Sequence, residues 1–418
     1  MRLLALPCLL ALGIAANAGA ETLSLSECLK RAQARSLLVV QSELARRQAK
    51  AVSDDARSKK LPQLSAVAAL DRSDDLSKQL EGSNKAVIRV EQSVYPFSAD
   101  WVRARQQAAA LQTATLGRLE TAGDVELAVK QLYFSIANAD EALQSLELVE
   151  EQLKRLRETI LPRFAVGRAP RFDAIKVKTA IADLTRAAES IQTDRAAKKA
   201  QLAQIMGAPA DSDLRLKTLT ALPDLPEEAA VEDQLPSNPS LLVLSQQVRG
   251  DELGVAAAKR ARFPDLVTGF EYGDSGPTTS SMPPGWDVTV GLRLPLYDWG
   301  SVSARVDQQK AQADLSRNRL GQTEQALRTQ LVEAASNARS HLADYRRLAE
   351  LLAETHEAAL AEGDQYKRGA VGILEATEAV NLWLQTLLNG RSAYYSYLSD
   401  LARLERISGG RTKVAYGD

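Results

Sequence analysis

The chain contains one corner twice, and the two copies stand at a fixed distance. "FAVGRAPRFDAIK" (164–176) and "YKRGAVGILEATE" (366–378) each run from an aromatic residue to a glycine three positions on and a carboxylate six beyond that. Gly167 and Gly369 are 202 residues apart, as are Phe164 and Tyr366. The same spacing joins Pro62 to Pro264, Leu64 to Leu266, Tyr95 to Tyr297 and Gly207 to Gly409. Each anchor is modest alone, but a shared offset without gaps is not. The chain therefore divides into a leader (1–20), a first repeat (21–207), a connector rich in proline and acid (208–223), a second repeat (224–409) and a short tail (410–418).

Each repeat has the same coarse plan. Residues 24–60 lack glycine and proline and are rich in helix formers, which predicts a helix that Pro62 ends. Strands are expected over 61–73 and 85–96, then a helix over 98–164 in which Leu132, Ile136, Ala139, Leu143, Leu146, Leu153 and Ile160 step at coiled-coil spacing. A further helix spans 171–206, with Gly207 as its cap. At ~1.5 Å per residue the long helix is ~100 Å and its two partners ~55 Å each. Two short helices end to end match one long one, a geometry that suits a tube rather than a globule.

Export is written at the start. Arg2, an apolar run over 3–16 and the A-x-A site formed by Ala18 and Ala20 in "NAGA" read as a signal peptide cleaved after Ala20. Cys28 is the one cysteine left after cleavage, so no intrachain disulfide is possible. A composition of 45% hydrophobic and 25% charged residues with net charge −1 excludes a disordered chain or a nucleic-acid binder held by net charge. No later apolar run reaches the ~20 residues of a membrane helix, so any crossing must be a closed β-barrel. "WDVTVGLRLPLY" supplies the pattern: Val288, Val290, Leu292 and Leu294 alternate with Asp287, Thr289, Gly291 and Arg293. Four strands are fewer than the ~8 of the smallest membrane barrels. Three chains supply twelve, so strands in lipid imply a cyclic trimer. A soluble periplasmic coiled-coil scaffold or adaptor is the alternative, with the strand pairs as solvated hairpins.

Little points to catalysis. His341 and His356 are the only histidines, with neither metal-pair nor triad spacing, and there is no phosphate loop. No catalytic residue, metal or cofactor is assigned. Glu375 and Glu378 share one helical face, whereas the first copy has Asp173 but Lys176 at the matching positions. Acids so close to a helix start also complement its dipole.

The sequence resembles the TolC family of outer-membrane efflux proteins over nearly all of its mature length. The likeness rests on "TLSLSECLKRA", on "LPQLS" and "FPDLV" where strands open, on "LRLPLYDWGS", on the two corners and on "LAQIMG". It implies a mainly α protein with membrane β-structure: a homotrimeric 12-stranded barrel in the outer membrane, continuous with an α-helical barrel across the periplasm. It further implies an exit duct for small toxic molecules or secreted protein, fed by an inner-membrane pump through a periplasmic adaptor. By this likeness the adaptor meets the corners at Gly167, Arg168, Gly369 and Ala370, and Glu375 and Glu378 ring the pore constriction. Tyr366 matches a gate tyrosine and is grouped with Arg368 and Asp173 as residues holding the gate. Val371 occupies the position where the family's gate arginine is expected.

Overall fold

The computed structural model describes residues 22–73, 81–94, 99–167, 169–210, 212, 214–277 and 283–417. The leader, Tyr95 and Arg168 lie outside them. A short strand β1 (Thr22–Leu23) opens the first repeat. Helices α1 (Leu25–Arg35) and α2 (Leu37–Ser58) follow, then strands β2 (Gln63–Ser73) and β3 (Glu81–Ser93). The repeat closes with the 66-residue α3 (Asp100–Ala165) and α4 (Arg171–Ile205). A two-residue β4 (Arg215–Leu216) and the short α5 (Glu228–Gln234) lead into the second repeat. That repeat comprises α6 (Pro239–Arg260), β5 (Asp265–Pro277), β6 (Gly285–Arg293), the 68-residue α7 (Ser301–Arg368) and α8 (Ile373–Ile407). The duplication is plain in the boundaries. α2 and α6 begin and end 202 residues apart, and so do α4 and α8.

Local chemistry sets these limits. Ser24 and Glu27 form a reciprocal capping box: Ser24 N–H donates to Glu27 Oε2 at 2.8 Å and Glu27 N–H to Ser24 Oγ at 3.3 Å. Asp298 caps α7 by accepting from the backbone N–H of Gly300 and of Val302 (2.7 Å). One expectation shifts. The first helix is not continuous over 24–60; it breaks at Ser36, where the end of α4 crosses and a Cβ on Gly207 would stand 3.0 Å from the Arg35 carbonyl. The long helix expected over 98–164 runs from Asp100 to Ala165, with Pro162 inside its last turn.

The long helices organise a wall. α3 packs against α2 and α4 on one side and against α6 and α8 on the other, and α7 packs against α6 and α8. The order across the wall is therefore α2 and α4, α3, α6 and α8, α7. The pairs Arg118–Glu43 (3.2 Å) and Arg195–Asp140 (2.7 Å) fix α2 on the first half of α3 and α4 on the second. Of the expected stripe on α3, Ile136, Ala139, Leu146, Leu153 and Ile160 are buried and Leu132 and Leu143 half-buried.

The four longer strands form one antiparallel sheet in the order β2-β3-β5-β6. Its register sorts the side chains by face. Leu64 pairs with Val90, Val90 with Phe270 and Phe270 with Val288, so one face collects apolar residues from every strand. On the other face Glu271 meets Lys85 (2.6 Å) and Arg89 (2.6 Å). The apolar face is uncovered: Leu64 is 73% exposed, Val290 67% and Leu292 66%.

A collar of chain wraps the middle of the wall. β1 and β4 pair in parallel. Tyr133, Tyr394 and Tyr397 donate from the helices to the carbonyls of Lys217 (2.6 Å), Ala221 (2.7 Å) and Pro223 (2.7 Å), which ties the connector down. Burial pushes the Tyr394 and Tyr397 phenols up to about 12. Beneath it, Lys130 donates to Glu126 and Glu405 at 2.7 Å each, and Tyr416 from the tail donates to Glu405 at 3.2 Å. Removing one partner of a buried pair strands the other's charge. Lys130→Ala should therefore destabilise the protein by roughly 3–5 kcal/mol, and adding Glu405→Leu should recover most of it. The midpoint of urea unfolding in detergent checks this.

Candidate functional corners

Both corners lie at the end of the wall remote from the sheet. Each turn needs a left-handed residue after its helix, and glycine supplies it: Gly167 at φ 72° and Gly369 at φ 75°. At Gly369 the amide of Ala370 reaches back to the Gln365 carbonyl at 3.0 Å. α4 then starts after Pro170 and α8 after Gly372.

The third helical residue is acidic in both copies, Asp173 and Glu375, yet the two acids are used differently. Asp173 is buried, and its Oδ2 accepts a 2.6 Å hydrogen bond from the Tyr366 hydroxyl of the other repeat. Tyr366 is itself only 4% exposed, packed among Ile160, Val177, Ile373 and Ala376. Burial and the Asp173 carboxylate hold its phenol well above the ordinary tyrosine range, so it stays a donor. Glu375 is exposed and folds back on its own helix start, with Oε2 2.8 Å from where a Cβ on Gly372 would stand. That is the dipole-complementing use of an early helical acid. Glu378 is exposed and lines a groove between α4 and α8 together with Lys176, its counterpart one repeat earlier.

The arginine at this corner is Arg163, which the sequence did not single out. From the last turn of α3, its Nη1 donates to the Tyr366 carbonyl at 2.7 Å, and its guanidinium carbon lies 5.6 Å from the Tyr366 ring centre. Arg368 lies exposed at the end of α7. Arg163 donates across 203 positions of sequence, from a point just before the repeated motif. No spacing within either corner points to it.

The other described site residues are open to solvent. Ala370 is exposed, and Gly167 has open space where a Cβ would stand. Val288, Val290, Leu292 and Leu294 are 48–67% exposed. His341 Nδ1 lies 2.8 Å from Asp400, and His356 stacks on Trp383 at 4.5 Å, which gives both histidines structural contacts. Among the described residues no three His, Cys, Asp or Glu side chains are grouped to hold a metal.

Residues 230–410 match the model of the outer membrane efflux protein family. A curated relative, outer membrane efflux protein BepC of Brucella suis biovar 1, is 25% identical over 237 residues, 52% of this chain and 49% of its own length. The chain thus spans about half the length of that relative. The outer-membrane channel OprN has the same fold, with a TM-score of 0.85, 15% identity and coverage of 92% of this chain and 90% of that one. So does the outer membrane protein VceC of Vibrio cholerae, with a TM-score of 0.84, 13% identity and coverage of 93% and 97%.

A raised tyrosine pKa has a definite sign. The contact is fully formed below the ordinary phenol value of ~10 and is lost as pH climbs through the higher folded value. Protection factors for hydrogen exchange at residues 163–173 and 366–375, corrected for the intrinsic rise of exchange with pH, should hold to about pH 10 and then fall. Tyr366→Phe should exchange faster at neutral pH already. Equal protection in both proteins would mean that the pair does not hold the corners together.

Proposed function

We propose that the chain is an outer membrane efflux protein, three copies of which form an exit duct through the outer membrane. One observation carries this reading. The sheet has an apolar face drawn from all four strands, and both its edges, β2 and β6, are unpaired among the described residues. These edges continue into the two edges of the helical wall, α2 and α7. Lipid does not tolerate unpaired strand edges, so β6 of one copy must meet β2 of the next. Two copies would close eight strands, whose interior side chains fill. Three close twelve strands over twelve helical columns and leave a passage.

In this arrangement the apolar face meets lipid and the Lys85–Arg89–Glu271 face meets the lumen. The wall of helices extends into the periplasm and ends at the corners. There Tyr366, Asp173 and Arg163 hold the two hairpins of each chain together, as a gate must. Gly167, Gly369 and Ala370, on exposed turns, together with Arg168 receive a periplasmic adaptor, which connects the duct to an inner-membrane pump. The cargo is small toxic molecules or secreted protein. Glu378, with Glu375 beside it, gives the periplasmic end a ring of carboxylates and makes the constriction cation-selective.

Two experiments test the proposal. Val290→Arg should cost ~2–4 kcal/mol of barrel stability at mid-membrane, and Thr289→Arg on the lumen face much less. Equal costs would refute the assignment of faces. In planar bilayers, Glu375→Ala with Glu378→Ala should weaken both cation selectivity and block by multivalent cations, with most of the effect from Glu378. Wild-type conduction in the double variant would remove the ring.

A further inference from the structure

The two helices that lead into the strand pairs end alike. α2 closes on "RSKKLP" (57–62) and α6 on "KRARFP" (259–264), again 202 residues apart. Each copy places three cations within six residues. Among the described residues, Lys59 is the one of these six that forms an ion pair, with Asp55 at 2.8 Å. A helix dipole favours cations in its last turn. It does not account for Lys60 and Arg262, which lie past the final helical residues Ser58 and Arg260, although Arg262 is within electrostatic reach of Asp298.

Aromatic side chains share this level. Lys60 Nζ stands 4.9 Å from the Trp101 ring centre, and the Arg260 guanidinium 5.1 Å from that of Phe263. Tyr297 and Trp299 meet edge to face at 4.7 Å. Trp299 is the one non-glycine residue with positive φ (52°) among the described residues, and it is 87% exposed. A bulky residue in that conformation is strained. Here the strain displays an indole instead of burying it. Exposed aromatics beside cations, at the level where an apolar sheet gives way to polar helices, match the interface of a bilayer.

We propose that the sheet-to-helix junction is a basic and aromatic collar that binds anionic phospholipid headgroups in the leaflet facing the helices. The inference rests on the duct reading, since only a sheet in lipid brings a leaflet to this level. The "KRARFP" copy ends α6, which packs between α3 and α7 inside each chain's wall. Closure of the ring at β2 and β6 therefore leaves its cations uncovered.

The test uses mature protein, delipidated in neutral detergent and titrated with phosphatidylglycerol, phosphatidylcholine or inorganic phosphate, with retention read by native mass spectrometry. Phosphatidylglycerol should be retained well above phosphatidylcholine, and phosphate not retained. Lys259→Gln/Arg260→Gln/Arg262→Gln should weaken phosphatidylglycerol binding by roughly fivefold per cation removed and leave phosphatidylcholine unchanged. In ~1 M salt the preference should vanish. If the triple variant does not insert, Arg262→Gln alone reads the same ratio. A heat-modifiable, inserted protein that retains both lipids equally overturns the collar, as does undiminished binding by the variants. Equal retention of phosphate overturns the lipid as ligand. A protein that never inserts as a barrel overturns the duct reading instead.

Discussion

Two unpaired strand edges govern this molecule. A sheet with one apolar face can rest in lipid only if every backbone N–H and C=O at its edges finds a partner. Within the chain β2 and β6 have none among the described residues, and the helical wall below ends at the same two flanks. A single closure, repeated between copies, would satisfy both layers at once. A straight wall some ~100 Å tall keeps each column parallel to the next, and only then can one edge rule serve the sheet and the helices alike.

Duplication explains the parts and divergence explains what they do. Both repeats put an acid at the third position of a short helix. In the first it meets a tyrosine from the second repeat; in the second it curls onto its own helix start. Matching positions of the two corners thus make different contacts. The middle of the wall shows the same economy. Tyr133 in the first repeat and Tyr394 and Tyr397 in the second all reach the connector's carbonyls, so the segment joining the repeats becomes a strap across both.

Much of this was legible in sequence because it is periodic. The offset of 202 predicts helix limits that coincide in the two halves, and alternation over Val288–Leu294 predicts a face that the register extends to every strand. What was hidden is aperiodic. The break at Ser36 depends on another helix end crossing there. Arg163 acts through a backbone carbonyl, which leaves no mark on its partner's identity. The buried Lys130–Glu405 pair joins residues 275 positions apart and carries no local signature.

The central claim is ring closure between β6 of one chain and β2 of the next. In a Cys28→Ser background, a cysteine fixed at Val290 can be combined with single cysteines stepped along residues 63–70 of β2, and oxidised in outer membranes. The account predicts that positions in register give a ladder of covalent species ending at three chains. Bands continuing beyond three, ending at two, or absent at every register would contradict it.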